Sequence, residues 1–183
     1  LGLVLIVMIV SGTYILLTLK NNEINKSNQQ LALYAEKISE QVIHSATDAE
    51  NIQERLSNTL TSAENMQGNV LDAYGVTIAS TAVLQEPYPT FTDSAILAAM
   101  DGQISYSFAK KSTDSSGLVR EWITCAYPVE NEAGEVEYIV YTRMDAGDMQ
   151  ENLVASAQTI LVSAVISLIL AAAMGYIFAQ TLT

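Results

Sequence analysis

The sequence predicts an α+β domain, an antiparallel sheet preceded by a long helix, carried between two transmembrane helices. Three observations lead there. All 20 acidic and 8 basic residues of the 183-residue chain fall between Lys20 and Glu151, which leaves both ends uncharged. Half of the residues are hydrophobic and only 15% are charged, an unusual balance for a soluble globule. Between the ends, the apolar pattern changes from helical steps to short alternating runs.

Residues 1–19 (LGLVLIVMIVSGTYILLTL) read as the first transmembrane helix, because about 20 apolar residues rising 1.5 Å each cross a hydrocarbon core of about 30 Å. A cleaved signal peptide would have a shorter apolar region and a small-residue exit site, which this run lacks. Residues 153–180 read as the second span by the same measure. Opening on Leu1 and closing just after a span, the chain reads as a piece of a longer protein.

Residues 20–152 then form one domain, long enough to bury a core of its own. Its net charge of −12 argues against binding nucleic acid through phosphates. Cys125, the one cysteine, has no partner for an internal disulfide and reads as a buried thiol. Lys20 and Lys26 lie on the domain side of the first span, which by the positive-inside rule weighs slightly against export.

Within the domain, residues 24–66 contain no Pro or Gly, and Leu31, Tyr34, Ile38, Val42, Ala49, Ile52, Leu56, Leu60 and Ala63 recur at helical steps. One long amphipathic helix is expected, capped near Asn21–Ser27 and stopped by Gly68. Residues 69–81 (NVLDAYGVTIAST) read as a hairpin, with Asp72 bonding its own turn and Gly75 at positive φ. Residues 82–92, with two prolines, read as loop. Thr92 or Asp93 caps a short helix, Ser94–Met100, that ends at Asp101–Gly102. After a Ser/Asp/Gly loop at 112–117, Val119–Val129 and Val136–Arg143 form a second hairpin around Asn131–Gly134. Residues 145–152 lead into the second span.

That order of elements resembles a known family. VLDAYGVTIAST is similar to the opening hairpin of extracytoplasmic PAS-like (single Cache) sensor domains, TDSAILAAMDGQ to their short connecting helix, and ITCAYPVENEAGEVEYIVYTRMD to their closing hairpin. The tail GYIFAQTLT resembles the entry to a HAMP linker, with residues 181–183 as its start. Together these resemble the N-terminal portion of a bacterial transmembrane sensor histidine kinase, particularly the cell-wall and phosphate-sensing kinds of Gram-positive bacteria. The resemblance implies a multi-pass protein of the bacterial cell membrane with residues 20–152 outside the cytoplasm, a homodimer, and a response regulator as partner. ATP and Mg²⁺ are implied for the parent kinase only, beyond residue 183.

No catalytic machinery is legible in the chain itself. His44, in QVIHSAT, lacks the acidic residue and basic, Pro-containing run of a phosphorylated kinase histidine, and no phosphate loop, Ser/His/Asp set or zinc spacing occurs. No cofactor or metal site is expected here; the acidic hairpin Glu130, Glu132, Glu135 and Glu137 reads as a solvated edge. PAS-like relatives hold small molecules between the sheet and its loops, and on that basis Arg120, Trp122, Tyr127, Tyr138 and Arg143 are the candidate ligand residues. Arg120 and Arg143 have the fork that grips a carboxylate; pairing with Glu121, Glu137 or Asp145 is the competing reading. A small molecule or a protein remains open as the ligand. In the second span, Ser163, Ser167, Ala171 and Gly175 form a small-residue stripe suited to close approach of the first span or of a dimer mate.

The function expected is signal sensing and transmembrane transduction for a two-component kinase. The same input serves a chemoreceptor or a cyclic-dinucleotide enzyme, and a membrane-tethered domain that binds a protein without signalling is the alternative of a different class.

Overall fold

The helical periodicity of the first third of the chain builds two helices, where one was expected. In a computed structural model, which describes residues 2–43, 49–61, 63, 66–81, 93–113 and 119–181, helix α1 runs from Gly2 to Ile43 and α2 from Ala49 to Leu60. A single straight helix would carry Ile52, Leu56 and Leu60 away from the sheet. As a separate helix, α2 buries all three beside Ala35 and Ile38 of α1. The expected cap near Asn21–Ser27 does not exist, because α1 passes through it unbroken and its internal hydrogen bonds leave no orphan donors there.

Strand β1 (Met66–Asp72) follows, and Gly68 lies inside it instead of ending a helix. A Cβ at Gly68 would stand 2.6 Å from Leu60 Cδ1 and 3.1 Å from Leu56 Cδ1. The glycine therefore serves the close approach of α2 to the sheet. Strand β2 (Thr77–Ser80) completes the first hairpin. Asp72 Oδ1 accepts from the backbone N–H of Tyr74 (2.9 Å) and Val76 (2.8 Å), and Gly75 has φ 80°, as the sequence foretold.

Helix α3 (Ser94–Met100) starts at Asp93, whose side chain accepts from Ala95 N, and ends at Asp101 with Gly102 at φ 78°. The next strand, β3 (Ser105–Thr113), had no counterpart in the sequence reading. It is an edge strand in which Tyr106 and Phe108 alternate with Ser105 and Ser107 for only half its length before a polar run takes over, too short a pattern to mark a strand. β4 (Val119–Glu130) and β5 (Val136–Asp145) form the closing hairpin. Their turn repeats the first: Asn131 Oδ1 accepts from Ala133 N and Glu135 N, and Gly134 has φ 78°. The expected loop at 82–92 lies outside the described residues.

The five strands make one antiparallel sheet in the order β2-β1-β5-β4-β3, with β5 at its centre. Each face has its own core. On one, Val70, Val129 and Val140 pack under α1 and α2, and Thr142 Oγ1 donates to Leu31 O of α1 at 3.2 Å. Cys125 is buried in β4. Burial pushes its thiol up to about 12 from 9.0, against a smaller lowering by a hydrogen bond with Thr142. On the other face, Leu71, Ala126, Ile139 and Tyr141 pack under Ala95, Ile96 and Ala99 of α3.

Helix α4 runs from Gly147 to Thr181. Its segment Leu153–Ile177, 25 residues, is the one stretch among the described residues long and apolar enough to cross a membrane. The described residues fall into two compact units: Ile24–Gly147, which holds the sheet, and a helical one of Leu1–Glu23 with Asp148–Thr183. Inside the helical unit, a Cβ at Gly12 would meet Ile160 Cγ2 at 3.4 Å. Half-buried Met8, Gly12 and Leu16 on α1, and Ala157, Ile160, Ala164 and Leu168 on α4, mark the facing rows.

Candidate functional site

Because side chains alternate along a strand, the register of β1, β5 and β4 fixes what the α3 face presents. One row across it is Gln67, Arg143 and Thr124; the next is Asn69, Tyr141 and Ala126; a third contains Leu71 and Ile139. The third row is apolar and lies in the core beneath α3. The first two are mostly polar, and Asn69, Arg143 and Thr124 in them are buried, at 0%, 4% and 1% exposed, with Gln67 half-buried. A buried polar patch inside an otherwise apolar sheet is costly unless its groups are paired.

Most are. Arg143 Nε donates to Gln67 Oε1 at 2.7 Å, and its guanidinium carbon stands 4.4 Å from the centre of the Trp122 ring, in cation–π stacking. Tyr141 Oη donates to Asp93 Oδ2 at 3.1 Å, while Asp93 Oδ1 caps α3 through Ala95 N. Burial raises the Tyr141 phenol above its usual range; the Asp93 carboxyl adds to this, while Thr124 and Arg143 act against it. Ser80 Oγ donates to Asn69 Oδ1. Two groups are left over. Asn69 Nδ2 and Thr124 Oγ1 are buried with no hydrogen-bond partner; Thr124 is near enough to Tyr141 to influence its phenol, but the pair does not reach hydrogen-bonding geometry.

The five candidate ligand residues do not form one site. Arg120, Trp122 and Arg143 share the α3 face, whereas Tyr127 and Tyr138 belong to the opposite face, against the core of α1 and α2. The sheet separates the two sets, so Tyr127 and Tyr138 cannot line a pocket with Arg143. Burial raises the Tyr127 phenol, helped by Glu36 of α1. Arg120 is exposed and faces Asp145, Nη1 to Oδ2 at 3.8 Å, the pairing that competed with a ligand role. Arg143 and Trp122 remain, joined by Asn69, Thr124, Gln67 and Asp93, which the sequence reading did not single out. Period-two alternation from Arg143 to Tyr141 was the available signal; nothing in it said which face α3 would cover.

The small-residue stripe of α4 also lies elsewhere than on α1. Ser163, Ser167, Ala171 and Gly175 are all exposed, and a Cβ at Gly175 would meet nothing within 4 Å. The α1 contact is made through the row of Ile160 instead, about a quarter of a turn away. The first of the two partners expected for the stripe, the N-terminal span, does not meet it among the described residues. Among the described residues, no group of three or more His, Cys, Asp or Glu side chains could hold a metal ion.

No family model matches the chain, and no curated protein matches it. Solved structures do. A domain of a sensory-box/GGDEF-family protein from Vibrio parahaemolyticus superposes with a TM-score of 0.56 at 13% identity, over 75% of this chain and 60% of that one. The sensor domain of the V. cholerae histidine kinase DctB gives 0.54 at 19%, over 78% and 57%. The ligand-binding domain of the Pseudomonas fluorescens chemoreceptor CtaA, solved with L-isoleucine, gives 0.52 at 14%, over 72% and 54%. The fold is thus that of PAS/Cache-like sensor domains. This chain spans less than two thirds of each of those three, and they serve three different outputs.

Proposed function

We propose that the chain is a signal-sensing input module whose α3 face receives a small molecule outside the cytoplasm. The observation that carries this reading is the pair Asn69 Nδ2 and Thr124 Oγ1. Each is buried without a partner, a loss of about 1–3 kcal/mol that a bound acceptor oxygen would recover. Both stand in rows shared with Arg143 and Tyr141, so a ligand that satisfies them touches the central strand. The sensor-domain fold, and a similar domain solved with an amino acid, support the reading.

Transmission would run through β5. Tyr141 and Arg143 face the site, and two residues later Asp145 Oδ1 accepts from Gly147 N at 2.8 Å, where α4 begins. A ligand shifts such an element only by binding one of its positions more tightly than the other. In the full reading, residues 1–19 and 153–180 both span a bacterial cell membrane, the chain dimerises, and the parent is a histidine kinase that acts with ATP and Mg²⁺ on a response regulator; no residue here is assigned to those cofactors. A chemoreceptor or GGDEF-type output is the second reading, favoured by the other neighbours of the fold.

The test joins the chain to the cytoplasmic part of a histidine kinase and reads autophosphorylation in membranes against amino acids, short carboxylic acids and sugars. At least one compound should change the output, and Asn69→Leu should remove the change. Output that ignores every compound, and also ignores deletion of residues 24–147, would point to a tether without signalling.

A further inference from the structure

A second site lies on the side of the sheet away from α3. Between α1 and α2 the structure has a cleft of about 420 Å³ lined by Tyr34, Lys37, Gln41, Arg55, Asn58 and Thr59. Tyr34, Lys37 and Gln41 recur at steps of three and four on one helix, and on the other Asn58 and Thr59 lie three and four residues after Arg55, so two rows of side chains face each other across the gap. Every one of the six carries a hydrogen-bond donor, and none is acidic. In a chain of 20 acidic and 8 basic residues, that selection runs against composition.

The two cations are also unpaired. Among the described residues neither Lys37 nor Arg55 has a carboxylate within ion-pair distance, and the Lys37 Nζ instead stands 5.3 Å from the centre of the Tyr34 ring. Of the α1 carboxylates, Glu36 and Glu40 act on the Tyr127 phenol of the sheet, and neither lines the cleft. The polar members are already organised, with Thr59 Oγ1 donating to Gln41 Oε1 at 2.6 Å across the helix pair. The cleft volume is within the range of small-molecule sites, about 300–1,000 Å³.

We infer that the α1–α2 cleft binds a small oxyanion, a phosphate or sulfate group either free or carried on a small molecule, held between Lys37 and Arg55. Such a ligand would tie α2 to the long helix α1, independently of the α3 face. Because the cleft is open to solvent, its charges are screened within about 8–10 Å, and the site depends on the convergence of both cations.

The test is calorimetric titration of the full chain in detergent with sodium sulfate, with inorganic phosphate and with a sugar phosphate, at ionic strength held constant by chloride. Saturable binding by any of the three is expected, and the tightest of them identifies whether the group is free or carried. Lys37→Gln with Arg55→Gln, both at exposed positions and with the fold checked by circular dichroism, should weaken binding about tenfold or more. Asn69→Leu on the α3 face should leave it unchanged, which separates this site from the sensing site. Absence of saturable binding for all three, or binding undiminished in the double variant, would overturn the inference.

Discussion

Thr124 and Cys125 are neighbours on β4 with opposite surroundings, and each makes a prediction of its own. Thr124 Oγ1 is buried without a partner, so Thr124→Val, nearly the same shape without the hydroxyl, should change stability in the absence of ligand by no more than about 1 kcal/mol while abolishing the ligand response. Thermal unfolding and titration of the same preparation check both halves; a large loss of stability would mean the hydroxyl is already satisfied in the protein. Cys125 faces the other core, where burial holds its thiol up to about 12 against 9.0. Its native form keeps the proton between pH 9 and pH 12 while the unfolded form loses it, so native protein binds more protons there and stability falls as pH rises through that window. Urea midpoints of Cys125→Ala should decline less steeply from pH 8 to pH 10.5 than those of the parent chain, and iodoacetamide should label Cys125 only after unfolding. At this scale Arg143 and Trp122 were legible because charge and size draw attention on a strand. Asn69 and Thr124 were not, since a polar residue in an alternating run reads as solvated until the covering helix is known.

The turns explain why the hairpins were the most legible elements. Asp72 with Gly75, and Asn131 with Gly134, each combine an acceptor side chain with a left-handed glycine three residues on, and each pair closes the same geometry. A local motif of four residues carries all the information. The helix pair is the contrary case: Gly68 looked like a stop signal for the long helix, but its role is the approach of Leu60 and Leu56 across the sheet, which is long-range and leaves no local trace. Gly68→Ala should therefore destabilise the domain by about 1–3 kcal/mol through overpacking, read from urea unfolding, and Leu60→Val should recover part of that loss. An unchanged midpoint would show that α2 shifts freely on the sheet. β3 escaped detection for a related reason. An edge strand owes its place to backbone bonds with β4, and its alternating segment, Ser105 to Phe108, is too short to mark a strand beside the polar run that follows.

In the whole molecule, the uncharged ends of the sequence correspond to one helical unit in which Gly12 of α1 meets Ile160 of α4. Gly12→Leu should disturb that helix pair within one chain, whereas Gly175→Leu should leave it intact. Crosslinking between cysteines introduced on α1 and on the Ile160 row, in a Cys125→Ser background, measures the difference; equal effects of the two substitutions would contradict the assignment of faces. The arrangement of small residues was readable in the sequence, but a step of four drifts around a helix, so the sequence alone did not say which row a neighbour would use. The uncharged ends and the sensor fold were readable because charge distribution and element order are properties of the whole chain; the second of those ends holds Leu153–Ile177, a stretch long and apolar enough to cross a membrane. The central claim, that the α3 face receives a small molecule, is open to one direct measurement. Trp122 is the single tryptophan and stacks on Arg143 within the site, so its fluorescence reports that face alone. Titrating the full chain in detergent with amino acids, short carboxylic acids and sugars should give a saturable change for at least one compound, lost when Asn69→Leu and Thr124→Val are combined. A panel without effect, or a change that survives the double substitution with the same midpoint, would contradict the account.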